Sequence, residues 1–91
     1  MRAKDLCARA GISYRQLDMW TRTGLVAARQ DFRGPGNPRH YDVTEARVVI
    51  DAGALVRAGM NPNAALALAR TLTAHGHARL GPYTVRLEKE T

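Results

Sequence analysis

The chain has 91 residues, with 14 lysines and arginines against 8 aspartates and glutamates, for a formal charge of +6 at pH 7. This length suits one small domain with its own apolar core. The single cysteine excludes an internal disulfide, and no apolar run approaches the roughly 20 residues of a transmembrane helix. The excess of positive charge favours a polyanionic partner. Twelve of the basic residues are arginine, whose planar guanidinium pairs bidentately with phosphate, but a GC-rich genome also enriches arginine, so the positions of the arginines carry more weight than their number.

The first residues lack the pattern of a secretory signal peptide. Lys4, Asp5 and Arg9 place charges where an uninterrupted apolar stretch would be needed. We therefore expect a cytoplasmic protein with no membrane partner.

Two short helices joined by a tight turn are predicted first. Residues 3–10 are strong helix formers, and Gly11 is suited to end the helix that they form. Ser13 is predicted to cap a second helix, over residues 13–23, which Gly24 ends. Helices in this order form a helix-turn-helix, whose second helix can be inserted into the major groove of DNA.

The two faces of the second helix differ in character. Leu17 and Trp20 are spaced to pack on the first helix, whereas Tyr14, Arg15 and Arg22 lie more outward. We expect Trp20 to be the central core residue between the helices.

A β-hairpin is predicted over residues 29–41. Its turn, Gly34-Pro35-Gly36-Asn37-Pro38, holds two glycines and two prolines and cannot be helical. Arg33 and Arg39 flank the turn, where they are placed to contact phosphates or a minor groove.

Two further helices complete the predicted domain of residues 1–76. Thr44 is the candidate N-cap of the third helix, which should end at Gly59. Asn61 with Pro62 predicts the start of a fourth helix that extends to about Ala74 and is closed by Gly76.

The fourth helix carries more apolar surface than one docking face needs. Leu66, Leu68 and Leu72, with alanines between them, go most of the way round it. Part of this surface is expected to face a partner chain.

Residues 77–91 form a tail in which one strand is predicted. Tyr83, Val85 and Leu87 alternate with polar residues at a period of two. Because a single strand is not stable alone, it must add to the hairpin, pack as an extended arm or pair with another molecule. The fold class is therefore mainly α with a small β-hairpin: four helices plus a C-terminal strand.

The sequence resembles the DNA-binding domain of the MerR family of bacterial regulators over about residues 3–75. The shared motifs are Asp5-Leu6-Cys7-Ala8, Gly11-Ile12-Ser13, Arg15-Gln16-Leu17, Trp20, Thr23-Gly24-Leu25, Arg39-His40-Tyr41 and Thr44-Glu45. The tryptophan at position 20 is more similar to the short single-domain relatives, such as BldC-like regulators, phage excisionases and phage terminase small subunits.

The resemblance implies a winged helix-turn-helix that binds double-stranded DNA. The helix over residues 13–23 would enter the major groove, and the wing over residues 29–41 would follow the backbone or the minor groove. The predicted DNA-contacting residues are Ser13, Tyr14, Arg15, Gln16, Arg22, Arg33, Arg39, His40 and Tyr41.

Two of the interface positions leave alternatives open. Tyr41 either packs under the wing or donates its hydroxyl to a phosphate. Asp18 stands where the family often has a basic residue, so it faces away, pairs with Arg15 or Arg22, or accepts from a cytosine amino group.

The resemblance also sets expectations for partners. Full-length family members continue into a dimerising helix and an effector-binding domain, whereas this chain stops at Thr91. We therefore expect no small-molecule ligand, and DNA binding by several copies on repeated sites or with a protein partner such as an integrase.

Three functions are compatible with these patterns. The first is a sequence-specific transcription regulator of a bacterium or its phage. The second is an excisionase-like recombination directionality factor that works with an integrase, and the third is a protein-interaction module such as an antirepressor.

No catalytic constellation is present, so we expect a protein that is not an enzyme and needs no cofactor.

Metal binding is not expected either. His40, His75 and His77 form no zinc-binding spacing with Cys7, which we predict to be a small core residue.

Overall fold

The computed structural model describes residues 1–29 and 39–88. In chain order its elements are α1 (Ala3–Ala10), α2 (Tyr14–Arg22), α3 (Val43–Arg57), α4 (Pro62–His75), β1 (His77–Leu80) and β2 (Tyr83–Arg86). All four predicted helices are present, and the mainly α fold class with a small β-hairpin is confirmed. None of the helices in the described part is long and apolar enough to span a membrane.

Local signals set most of the helix ends as predicted. Gly11 ends α1 in the left-handed conformation with φ 67°, which glycine adopts without a steric penalty. The Ser13 hydroxyl accepts a hydrogen bond from the Gln16 backbone N–H at 3.0 Å and so caps α2. Asn61 caps α4 in the same way, with Pro62 as its first residue.

The start of α3 differs from the prediction. Its N-cap is Asp42 rather than Thr44, because the Asp42 carboxylate accepts from the Glu45 backbone N–H at 2.8 Å. An acid at this position satisfies a free N–H and also interacts favourably with the positive end of the helix dipole. The helix therefore begins at Val43, before the residue that was expected to cap it.

The core is formed where α1, α2 and α3 meet. Trp20 is 2% exposed, which confirms its predicted place between the helices. The largest fully buried side chains are Trp20, Tyr41, Leu6, Leu17, Val26, Val48 and Val49. On the other side of α3, Ala65, Leu66 and Ala69 of α4 join the same cluster.

The residues at the two ends of the predicted wing pair with each other. The backbone N–H of Arg29 donates to the carbonyl of His40 at 2.7 Å, and that of His40 donates to Arg29 at 2.8 Å, in an antiparallel bridge. On its other side, His40 forms a second antiparallel bridge with Arg2. The rest of the predicted wing, including Arg33 and the glycine-proline turn, lies outside the described residues.

The tail contains two strands rather than the one that was predicted. β1 pairs with β2 in antiparallel register, from His77 opposite Arg86 to Leu80 opposite Tyr83. Only two residues, Gly81 and Pro82, connect them. Gly81 has φ 60°, and glycine at the first central position is typical of the type II′ turn that joins paired strands. The tail thus supplies the partner for its own strand, which none of the three sequence alternatives included.

The additional apolar surface of α4 is covered by this hairpin. Leu68 and Leu72 form a second buried cluster with Ala78 of β1, and Val85 of β2 packs against it. The expectation that this surface faces a partner chain is therefore corrected for Leu68 and Leu72, which are 8% and 6% exposed within the single chain.

α1 and α3 approach each other closely at Gly53. A Cβ atom added at Gly53 would collide with the backbone carbonyl oxygen of Ala10. The Arg57 guanidinium, one turn further along α3, donates a hydrogen bond to the same oxygen. The contact therefore requires a residue without a side chain at position 53.

We expect Gly53→Ala to lower the free energy of unfolding by roughly 1–3 kcal/mol, because the added methyl group forces the two helices apart. The sign of this change in free energy distinguishes a steric clash from helix propensity. Helix propensity alone would make the same substitution stabilising by about 0.5–1 kcal/mol. Chemical denaturation of both proteins measures the difference, and a more stable variant would contradict the close approach.

Candidate nucleic-acid interface

α2 has one buried and one exposed face. Leu17 is fully buried and Trp20 nearly so, which fixes the orientation of the helix on the core. Arg15, Asp18 and Arg22 follow one another at intervals of three and four residues, so they lie on one face. That face is directed away from the core, and Arg15 and Arg22 are exposed on it.

The first turn of α2 exposes most of its predicted contacts. Ser13, Tyr14 and Arg15 are exposed, Tyr14 to 61%. Gln16 is half-buried, and it lines a groove that leads towards the start of α4. The Ser13 hydroxyl already accepts the capping hydrogen bond, so its main part is to start the helix.

Asp18 joins two arginines on this face. One carboxylate oxygen lies 3.1 Å from Arg22 Nε, and the other lies 2.7 Å from Arg39 Nη1. The pairing with Arg22 was one of the alternatives left open by the sequence. The pairing with Arg39 was not foreseen, because the two residues are 21 positions apart.

The hydrogen bond to Asp18 raises the pKa of the Arg39 guanidinium above its ordinary value, although burial acts in the opposite direction. The Arg39 side chain is 23% exposed, compared with 69% for Arg22. Arg39 is therefore held against α2, whereas Arg22 extends into solvent.

Tyr41 belongs to the core. Its side chain is 1% exposed, and its hydroxyl lies 2.8 Å from Thr21 Oγ1. Because Thr21 donates its own hydroxyl proton to the Leu17 carbonyl, Tyr41 is the donor in this bond. The prediction that Tyr41 contacts DNA is corrected in favour of the packing alternative.

The two contacts form what we call the α2–strand link, defined as the Asp18–Arg39 ion pair and the Thr21–Tyr41 hydrogen bond. Asp18 and Thr21 are three residues apart on the helix, and Arg39 and Tyr41 are two apart on the extended segment. Both spacings place side chains on a common side. The link fixes the base of the predicted wing against α2.

His40 lies between the two linked residues and is exposed. Its backbone pairs with Arg29 and Arg2, so its side chain projects from a fixed position. Arg33 remains a prediction because it lies outside the described residues.

The structure thus brings Arg15, Arg22 and Arg39 to one side of the molecule. The helical spacing places the first two together, and Asp18 contacts both Arg22 and Arg39. Three guanidinium groups and one carboxylate leave this surface positively charged. Such a surface suits a polyanion, and a single exposed helix within it suits a groove.

A second network, not foreseen from the sequence, fixes the segment that follows α2. Arg70 of α4 pairs with Glu45 of α3 and donates to the Leu25 carbonyl at 2.9 Å. The Glu45 carboxylate also accepts from the Ala27 N–H at 2.9 Å. The chain that follows α2, from Leu25 to Ala27, is therefore anchored to both of the later helices.

The hydrogen bond from Arg70 lowers the pKa of Glu45 below its ordinary value. The Ala27 N–H acts in the same direction, and together they outweigh burial, which would raise the pKa. The ionised carboxylate is thus the form that the folded protein favours.

No group of three or more metal-ligating side chains occurs within residues 1–29 and 39–88. Cys7 is partly buried and packs against the core, as predicted, and burial raises the pKa of its thiol.

The fold and this surface together define a helix-turn-helix domain with an exposed, basic second helix. Comparison with known families matches residues 1–72 to the MerR HTH family regulatory proteins. The chain belongs to this family, which confirms the resemblance seen in its sequence motifs and identifies a DNA-binding regulator domain. No curated protein matches the chain significantly.

We expect Glu45→Gln to lower the free energy of unfolding at neutral pH by roughly 1–2 kcal/mol, because a charge-assisted network is lost. The folded-state pKa of Glu45 is depressed, so its stabilisation is complete above the ordinary glutamate pKa and is lost as the pH falls through the folded-state value. The stability difference between wild type and variant should therefore shrink on acidification, as measured by urea titrations from neutral to acid pH. A difference that stays constant with pH would contradict this role of the carboxylate.

Proposed function

We propose that this chain is a sequence-specific double-stranded DNA-binding transcription regulator whose helix α2 enters the major groove. The observation that carries the proposal is the exposed first turn of α2 beside three arginines on one side of the molecule. An α-helix with its side chains is about 10–12 Å across, which fits the roughly 12 Å width of the major groove.

Within this proposal the residues divide into two groups. Arg15 at the start of α2 contacts base edges, where arginine pairs bidentately with guanine, and Tyr14 and Gln16 flank it. Arg22, Arg39, His40 and the wing contact phosphates and fix the register of the helix on the duplex. Ser13 contributes mainly by capping the helix that carries them.

The α2–strand link supports this division. It holds the base of the wing at a fixed distance from the helix, so both can meet the same duplex without reorganisation. Contacts that are placed in advance cost less conformational entropy on binding.

The first test is an electrophoretic mobility-shift titration of the wild-type protein on sheared genomic DNA at low salt, followed by selection from a random duplex pool. Binding of genomic DNA and enrichment of one sequence are expected. No shift together with a stable protein complex would instead favour an antirepressor-like interaction module.

If an integrase is encoded nearby, an assay of integration and excision separates a recombination role from regulation.

We expect Arg15→Ala to weaken binding to the selected duplex by roughly 1–3 kcal/mol and to relax the preference at the contacted base pair. Arg86→Ala is the matched control, because it removes the same charge from the exposed outer part of β2. Fluorescence anisotropy with duplexes substituted one base pair at a time measures both effects. Equal behaviour of the two variants would contradict the assignment of Arg15.

We expect Arg22→Ala to weaken binding to all duplexes by a similar factor, since a phosphate contact carries no sequence information. The slope of log affinity against log salt concentration should become shallower by about 1. A variant whose salt dependence matches wild type, but whose sequence preference has changed, would move Arg22 from the backbone to the base-contacting group.

A further inference from the structure

We propose that Asp18 is a specificity-determining positioning residue: its charge lowers affinity for all duplexes alike, and its ion pair holds Arg39 where the phosphate contact of Arg39 forms only when α2 lies in its preferred register on the bases. This inference rests on the proposed function and concerns how well the interface separates one sequence from others. Asp18 contacts no DNA in this proposal and acts through Arg39.

Asp18 lies at the centre of the proposed interface. Each of its carboxylate oxygens is engaged by a different guanidinium, one from its own helix and one from the base of the wing. When its charge alone is considered, an acid among arginines is unfavourable for phosphate binding. Its position between α2 and the wing indicates a second role, which is to set the place of Arg39.

The two ion pairs of Asp18 differ in how well they are shielded. Arg22 is 69% exposed and sits one helical turn away, an arrangement that contributes little and exchanges readily. Asp18 and Arg39 are 27% and 23% exposed, and their hydrogen bond is short at 2.7 Å. On a duplex, Arg22 is therefore free to leave Asp18 for a phosphate, whereas Arg39 stays in place.

Arg39 keeps donors for DNA while it is held. A guanidinium has five N–H donors in a fixed plane; Asp18 engages Nη1, and the Tyr41 hydroxyl interacts with the group more weakly. The remaining donors are presented in one orientation, which is the condition for directional rather than diffuse attraction.

The backbone at Arg39 does not depend on Asp18. The Thr21–Tyr41 hydrogen bond and the bridges of His40 hold the segment from both sides. Loss of the Asp18 carboxylate should thus release the Arg39 side chain and leave the fold intact, which makes the role of Asp18 testable apart from stability.

The test compares Asp18→Asn with Glu88→Gln, which removes the same charge from the exposed tail. Affinities are measured over a range of salt concentrations for sheared genomic DNA and for the best duplex that the wild-type protein selects from a random pool. Asp18→Asn should tighten binding to genomic DNA about two- to fivefold, the effect expected of one partly exposed charge. Its ratio of selected to genomic affinity should fall at least about fivefold, whereas Glu88→Gln should leave the ratio unchanged.

A double-variant cycle tests whether Asp18 acts through Arg39. In an Arg39→Ala background, Asp18→Asn should change the affinity for the selected duplex and the affinity for genomic DNA by the same factor. The ratio of the two affinities should then be the same with and without Asp18→Asn. If Asp18→Asn does not fold, Asp18→Glu takes its place: it keeps the charge but lengthens the side chain, and should lower the ratio without tightening binding to genomic DNA.

The outcomes separate the two proposals. If wild-type protein selects a sequence but Asp18→Asn leaves the ratio unchanged, Asp18 acts only as a general charge and this inference is overturned while the proposed function stands. A ratio that falls equally in the Arg39→Ala background would also overturn it, because Asp18 would then act without Arg39. If wild-type protein selects no sequence, the proposed function itself fails.

Discussion

The exposed face of α2 depends on the burial of Leu17 and Trp20 on its opposite side. A helix of nine residues is too short to be stable in isolation. It forms because these two side chains leave water, which contributes roughly 1.5–3 kcal/mol for a side chain of this size. Once they are buried, the helical repeat directs Arg15 and Arg22 outwards. The basic surface is thus a geometric consequence of the core beneath it.

The burial of Tyr41 extends the same principle to the second part of the interface. The aromatic ring fills the core, and its hydroxyl finds Thr21 on α2, so a buried polar group is satisfied. One residue along, the backbone of His40 is paired on both sides, and one residue further Arg39 reaches Asp18. The extended segment of residues 39–41 is therefore joined to α2 by a core residue, and the charged residues beside Tyr41 take their positions from that anchor.

The sequence allowed prediction of what local chemistry decides. Gly11, Ser13 and the Asn61–Pro62 pair determine helix ends through their own backbone and side-chain preferences, and the structure agrees at each. The error at Thr44 was also local, since two residues able to cap stand close together and the stronger acceptor, Asp42, starts the helix. Where two possible N-cap residues are neighbours, the residue at which the helix starts depends on a small difference in free energy between them.

Contacts between distant residues could not be predicted in this way. Nothing in the pattern around Asp18 indicates Arg39, and nothing around Glu45 indicates Arg70, because these pairs form only after the helices have packed. The hairpin in the tail is an intermediate case. Gly81-Pro82 between two short segments is a turn signal, but His77–Leu80 contains none of the β-branched or large aromatic residues that mark a strand.

The tail hairpin also changes what the apolar surface of α4 means. Leucines distributed round a helix indicate that more than one neighbour covers it, but they do not say whether that neighbour belongs to the same chain. Here Ala78 and Val85 cover Leu68 and Leu72, while Ala65, Leu66 and Ala69 face α3. The family match ends at residue 72, before either strand begins, yet the last matched leucine is buried by residues beyond it. The packed unit therefore extends past the matched region, and the apolar surface of α4 is explained by contacts within one chain.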